Sequence, residues 1–294
     1  MFDLCTIGHI TLDKVQTTQS VKFMPGGTAF YFTKALKKFD IKYLLVTAVA
    51  KSEQYIIDEL INEGLEVMRL DSEHTVYFEN IYPENMDHRE QNVLNTADPF
   101  TVDLMPPVRA KIFHLGPLLS TDISTALIRT LADRGMVSLD VQGLLRYLKD
   151  KKVFYKDWDN KEAILECITI LKANEFEMEI ITGTKDIEKG ARYLAGFGVK
   201  EVVVTNGSKG SLVLADDHFY KIPALKPAMP IDTTGCGDTY MAGYLYKKLK
   251  GANVAECGLY GAAMATLKIQ SFGPFSGDSE DVEAILKSSV IAPS

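Results

Sequence analysis

The sequence predicts an α/β fold: a doubly wound, mostly parallel sheet sandwiched by helices, with a small β lid. Three observations carry that prediction. Short apolar runs rich in β-formers alternate with amphipathic stretches of helical period, the pattern of parallel strands joined by crossover helices. Two polar, β-prone excursions, residues 14–23 and 76–93, interrupt the alternation and fit neither layer. The chain has 294 residues, 46% hydrophobic, with 21 glycines and 11 prolines. That suffices for one large core or two smaller ones and excludes collagen, coiled coil and disorder. A single domain over residues 1–294, with the two excursions inserted as lid segments, is the expected organisation.

Strands are expected at Phe2 to Ile7, Tyr43 to Val49, Lys111 to Leu115, Val137 to Val141, Ile168 to Ala173 and Glu201 to Thr205. They read as buried parallel strands, which are apolar on both faces. Helical patterns lie between and after them, at Thr28 to Lys38, Glu53 to Asn62, Asp122 to Asp133, Asp186 to Phe197, Gly237 to Lys248 and Val254 to Ile269. The excursion KVQTTQSVKF and the one starting VYFENIY read instead as projecting strand pairs. A small isolated sheet is marginal in water. If the two excursions join, their apolar face must cover a binding site or meet the same face of a second copy, so a homodimer through the lid is one of two expectations. From Gly207 to Ile231 short strands and turns suggest an antiparallel edge to the main sheet.

With 32 Lys and Arg against 39 Asp and Glu, the net charge is −7, and a phosphate-rich polymer would be repelled overall; nucleic acid is not an expected partner. Cys5, Cys167, Cys236 and Cys257 form no CxxC pair and have no histidine at ligand spacing, so neither a zinc site nor a disulfide framework is indicated. The start MFDLCTIGHITLDKV lacks a basic region and the apolar length of a signal peptide, and the best apolar run elsewhere, Leu44 to Ala50, falls far short of a bilayer span. A cytoplasmic protein with no membrane partner is expected.

The strongest local signal is Asp232-Thr233-Thr234-Gly235-Cys236-Gly237-Asp238, followed by the helical run TYMAGYLYKKL. Small residues at 235 to 237 let successive backbone N–H groups turn toward one point at a helix N-terminus, where the macrodipole favours an anion. Asp238 would lie at the start of that helix, where a carboxylate can take a proton from an attacking hydroxyl. A glycine turn followed by an ordinary first-turn Asp explains the same residues equally well.

DTTGCGD resembles the C-terminal signature of the ribokinase-like, phosphofructokinase B-type carbohydrate kinases, which read D-T-x-G-A-G-D before a helix. Cys236 stands where Ala is usual, a small-for-small change. The resemblance implies a ribokinase-like fold and a kinase that uses ATP and Mg²⁺, with a monovalent cation such as K⁺ as a further candidate. It implies Asp238 as catalytic base, the amides of Gly235, Cys236 and Gly237 as anion hole, and Asp232 on the cofactor side. Gly8 and Asp13 match the family's Gly and Asp after the first strand, and Gly26-Gly27 its di-glycine, so Asp13, Gly26 and Gly27 are expected to line the acceptor pocket. Asn174 and Glu177 match its N-x-x-E element, which arranges magnesium and phosphate, with Glu177 reaching the metal through water; alone they read as an N-cap and its capping-box partner. Thr205, Gly207 and Gly210 match a segment bordering the nucleotide. Ala263, in the small-residue run from Gly261, and Gly273 fall on the adenine side.

Thr11 and Tyr31 occupy positions where ribokinase carries sugar-binding Asn, which weakens ribose as acceptor. The stretch Asp140-Val141-Gln142 through Arg146 resembles the D-x-Q-x-x-x-R of plant inositol kinases, making Asp140 and Gln142 candidate substrate ligands. The expected activity is ATP-dependent phosphorylation of a hydroxyl on a small sugar or cyclitol. A nucleoside kinase of the adenosine type is the alternative, and a catalytically silent ligand-binding regulator on the same fold the alternative of another class. No GxxxxGK[ST] loop or GxGxxG turn is present, which disfavours a P-loop NTPase or a dehydrogenase.

Overall fold

A computed structural model describes residues 1–16, 21–81 and 90–291; parts of both expected lid segments, 17–20 and 82–89, lie outside the described residues. The chain forms two compact units, Met1–Phe30 with Tyr43–Ile164, and Tyr31–Lys42 with Leu165–Ser294.

The first unit holds β1 (Phe2–Ile7), β2 (Thr11–Gln16), β3 (Val21–Gly26) and the first turn of α1 (Thr28–Leu36), which passes into the second unit. It continues through β4 (Tyr43–Val49), α2 (Gln54–Asn62), β5 (Val67–Asp71), β6 (Val76–Ile81), β7 (Glu90–Asn95), β8 (Ala110–Leu115), α3 (Thr125–Ala132), β9 (Met136–Asp140), β10 (Arg146–Lys149) and β11 (Lys152–Tyr155), to the short α4 (Glu162–Leu165). Strands β9-β8-β1-β4-β5 pair in parallel in that order. All seven residues of β4 are buried, as a strand covered on both faces requires.

The two excursions form part of a second sheet, ordered β10-β11-β7-β6-β2-β3. Here β2 and β6 run parallel and the other neighbours antiparallel. Burial alternates along β6, and Val76, Phe78 and Val93 pack with Leu118 and Leu119 in one cluster; this face is covered. The sheet is larger than the expected strand pairs because the hairpin β10-β11 joins it. That hairpin turns at Asp150 and Lys151, both at positive φ (50° and 63°), the geometry of a type I′ turn made without the usual Asn or Gly.

The helix expected from Asp122 begins at Thr125 instead. Ser124 is its N-cap, accepting from Leu127 N, while the Asp122 carboxylate takes the amides of Leu118 and Leu119 at 2.8 and 3.1 Å. Asp122 therefore closes the preceding loop, and a side chain committed there cannot start the helix.

The second unit holds β12 (Ile170–Asn174), α5 (Glu175–Thr182), α6 (Ile187–Ala195), β13 (Glu201–Thr205), β14 (Ser211–Ala215), β15 (His218–Ile222), α7 (Cys236–Leu249), α8 (Val254–Lys268) and α9 (Ser279–Ile291). Strands β12 and β13 are parallel, and β14 and β15 add the antiparallel edge expected after Gly207. Helices α7 and α8 pack through small residues: a Cβ on Gly243 would lie 3.0 Å from Gly261 Cα. No helix among the described residues is long and apolar enough to cross a membrane.

Candidate active site

The Asp232 to Asp238 segment leads directly into α7. Gly235 is the helix N-cap in the left-handed region, φ 74°, and Asp238 lies in the first turn. A side chain at 235 is excluded twice, since its Cβ would lie 2.3 Å from Cδ1 of Tyr31 and L-residues disfavour this φ. As at any helix start, the opening amides of α7 lack i−4 partners, a place where an anion is favoured; that of Cys236 reaches Thr233 O at 3.2 Å.

The loop is fixed from behind. Lys268, at the end of α8, is fully buried and donates to the main-chain O and to Oδ2 of Asp232 at 2.8 and 2.9 Å. Thr234 N donates to Asp232 Oδ1 at 2.9 Å, and the amides of Ile231 and Asp232 both reach Ile269 O, at 2.7 and 3.1 Å. Burial pushes the Asp232 carboxyl up, but the bonds from Lys268 and Thr234 outweigh it and hold the group below its ordinary value. Burial raises the Cys236 thiol to about 11 against the opposing charge of Lys268.

Asn174 and Glu177 make a complete capping box at the start of α5: Asn174 Oδ1 accepts from Glu177 N, and Glu177 Oε2 from Asn174 N, both at 2.8 Å. Glu177 is buried, and Lys172 Nζ lies 3.9 Å from the same Oε2. Among the described residues no three His, Cys, Asp or Glu side chains are grouped to hold a metal. One carboxylate already engaged by an amide suits a magnesium ion that arrives on a polyphosphate and keeps its waters, not one caged by protein.

Beside the start of α7 lies a cavity of about 470 Å³, lined by Thr205, Gly207 and Gly210, by Leu225 and Pro227, by Cys236, Gly237 and Tyr240, and by Ala262, Ala265, Thr266 and Ile269 on the α8 side. Gly210 has φ 90°, and a Cβ there would strike Ile222 O at 2.1 Å. The structure brings Thr205, Gly207 and Gly210 into one lining with Cys236 and Gly237. It does not bring Ala263, which is fully buried and absent from the lining: the helical period turns 262, 265, 266 and 269 to the cavity and 263 away. Gly273 (φ 77°) turns the loop after α8 in open space, outside the lining.

In the first unit, Thr11 and Asp13 stand two residues apart on β2, on one face of the second sheet. Opposite them on β3, Gly26 leaves that face open; a Cβ there would lie 2.6 Å from Asp13 Oδ2 and 2.9 Å from Thr11 Oγ1. Thr11 is buried, and its hydroxyl has no hydrogen-bond partner among the described residues. Gly27, φ 88°, packs against His9 O, where a Cβ would come within 2.7 Å. His9 is itself pinned, with Nε2 3.0 Å from Asp98 O and Nδ1 3.2 Å from Asp122 Oδ2. Asp140 is buried at the end of β9 and accepts from Gln142 N at 3.1 Å, capping the 3₁₀ turn over Val141–Leu145; Gln142 is half-buried.

Sequence reasoning missed Lys172 and Lys268, because a lysine within a strand or in the last turn of a helix carries no motif. It placed Tyr31 where ribokinase carries a sugar-binding Asn but gave it no part at Gly235, against which its ring lies in the structure.

The left-handed cap at Gly235, the carboxylate in the turn that follows and the cavity beside them lie together at the start of α7. The chain matches the pfkB family carbohydrate kinases over residues 1–281; it belongs to that family and is a kinase with the ribokinase-like fold. A cytidine kinase of Thermococcus kodakarensis is 28% identical over 286 residues, 94% of this chain and 99% of that one. A pyrophosphate-dependent kinase of the ribokinase family, solved with sulfate, superimposes with a TM-score of 0.86 at 28% identity, covering 96% of this chain and 99% of that one. Arabidopsis thaliana ribokinase, complexed with ribose and ATP, shares the fold at TM-score 0.81 and 21% identity, over 97% and 99% of the chains.

Proposed function

We propose that this kinase transfers the terminal phosphoryl group of ATP to a hydroxyl of a small polyol, with a cyclitol such as inositol as the leading acceptor. The observation that carries the reading is the left-handed Gly235 cap with Asp238 in the turn it opens. In this scheme the amides of Gly235, Cys236 and Gly237 hold the phosphoryl oxygens, and Asp238 takes the acceptor's proton as the new O–P bond forms. The bond to the leaving diphosphate breaks with its electron pair on the diphosphate. Glu177 would hold Mg²⁺ through water, and the ion would supply charge neutralisation on the polyphosphate. Asp13 and the Thr11 hydroxyl bind acceptor hydroxyls, Gly26 and Gly27 keep the space for them, and Asp140 with Gln142 supply further contacts. In this reading the chain is a single kinase domain, with the second sheet, which carries Thr11 and Asp13, as its lid.

A pyrophosphate-dependent relative solved with myo-inositol, 28% identical at TM-score 0.85, supports the acceptor and raises a different donor. The largely apolar cavity beside the nest favours a donor with a base to bury. A second reading, nucleoside phosphorylation, is supported by the likeness to the cytidine kinase over 94% of the chain. The test is product release from inositol, ribose, fructose, fructose 6-phosphate, adenosine and cytidine, each offered ATP or pyrophosphate. Turnover of inositol with ATP supports the proposal; turnover confined to a nucleoside, or to pyrophosphate as donor, replaces the acceptor or the donor respectively. Binding without turnover of any acceptor would favour a silent regulator.

A further inference from the structure

His9 stands in the step Gly8-His9-Ile10 between β1 and β2, where the chain first passes from the parallel strands of the first unit to the second sheet. Its side chain is fully buried and meets oxygen on both sides. Nε2 lies 3.0 Å from Asp98 O, a carbonyl that only accepts, so this nitrogen carries a ring proton. Nδ1 lies 3.2 Å from Asp122 Oδ2, the oxygen that takes the amides of Leu118 and Leu119. The ring packs on Phe100, with centroids 4.5 Å apart.

Those partners belong to the other connections between the two sets of strands. The chain leaves the second sheet at Gly27, where a Cβ would meet His9 O at 2.7 Å and Leu118 Cδ1 at 3.3 Å. It enters again through residues 72–75, between β5 and β6, and leaves after β7 by the stretch that holds Asp98 and Phe100. Asp98 ties these last two together: its Oδ2 accepts from Glu73 N and its amide donates to Ser72 Oγ, each at 2.9 Å. The loop that Asp122 closes presents Leu118 and Leu119 to the covered face of the second sheet. One buried imidazole thus holds the joint between that sheet and the parallel strands, directly or through Asp98.

We infer that His9 is a positioning residue for the acceptor: its ring fixes the joint that sets where Thr11 and Asp13, the next side chains but one along β2, stand relative to the parallel strands. The inference rests on the reading above, in which those two side chains hold acceptor hydroxyls. His9 itself touches no reacting atom. It acts on affinity, because a joint set before the acceptor arrives leaves less ordering for binding to supply. An apolar side chain could fill the same space, but it would leave Asp98 O without its donor.

The test compares wild type with His9→Leu, His9→Asn and His9→Gln by steady-state kinetics on the best acceptor of the panel, calorimetric binding of ATP, and hydrogen exchange, with thermal midpoints to establish folding. His9→Leu is expected to raise acceptor KM at least about tenfold, the equivalent of one lost buried hydrogen bond, with kcat within about threefold of wild type and ATP affinity unchanged. Amides of β2 and β6 should exchange faster while those of β4 keep their wild-type protection. His9→Gln, long enough to donate to Asp98 O, should recover most of the KM. Acceptor KM equal to wild type in a folded His9→Leu would overturn the inference. So would ATP affinity that falls in step with acceptor affinity, or a loss that His9→Gln does not relieve, since either marks general support of the fold. Should His9→Leu not fold, His9→Asn, too short to reach Asp98 O, decides: an acceptor KM at the wild-type value counts against positioning. If wild type turns over no acceptor, the proposed function fails and exchange judges the joint, which unchanged β2 and β6 amides in His9→Leu would refute.

Discussion

Two carboxylates divide the proposed labour, and replacing each should fail in a different way. Asp238, in the first turn of α7, is placed to take a proton, so Asp238→Asn is expected to lower kcat by about 10²- to 10⁴-fold while ATP still binds, because the nest amides remain. Steady-state kinetics at saturating Mg-ATP, with a parallel ATP titration, check this; an unchanged kcat removes Asp238 from the base role. Asp13, beside Gly26 on the second sheet, is placed to hold hydroxyls. Asp13→Ala should weaken acceptor binding strongly and leave ATP binding near wild type, as separate calorimetric titrations would show; equal losses would mark a structural Asp. At this scale the sequence was legible where the backbone itself leaves room only for glycine, as at Gly235 and Gly26. It was silent at Lys172 and Lys268, whose significance comes from reach across the fold.

Among the elements, legibility followed how much of the signal was local. Strand β4, buried at all seven positions, announces itself as an apolar run and α8 as a helical pattern, whose capping box of Asn253 and Glu256 the structure adds. The β10-β11 hairpin does not, because its turn uses Asp150 and Lys151 at positive φ and only pairing with β7 justifies that conformation. The tether between the end of α8 and the nest loop was equally hidden, and it has a pH signature. The folded Asp232 carboxyl lies below its ordinary value, so its contribution to stability is complete above the unfolded-state pKa and disappears as pH falls through the folded value. Lys268→Met should therefore lower the thermal midpoint near neutrality, with the gap to wild type narrowing as the pH falls below the usual carboxylate range. Thermal melts from pH 3 to 7 measure it; a gap that stays constant would mean Lys268 stabilises through packing alone.

For the whole molecule, the second sheet raises the question of association. Val21 and Phe23 on the edge strand β3, and Phe154 on β11, are each more than half exposed. Apolar side chains on the unpaired edge strand β3 invite another chain, so the homodimer raised from the sequence as one of two outcomes is testable at Val21 and Phe23. Sedimentation at micromolar concentration should show a dimer that Phe23→Ser shifts toward monomer; a monomeric wild type would leave the sheet to close over acceptor instead.

Cys236 brings sulfur into the wall of the phosphate nest, and its consequence is one of chemical durability. With burial raising the thiol to about 11, the reactive thiolate is scarcer near neutrality than for an ordinary cysteine. Oxidants and alkylating agents attack the thiolate, so the residue that replaces alanine in this loop is held in its inert form. A phosphate held as proposed would meet no negative charge from this side chain. The loop tolerates sulfur because burial keeps it a small, neutral hydrophobe.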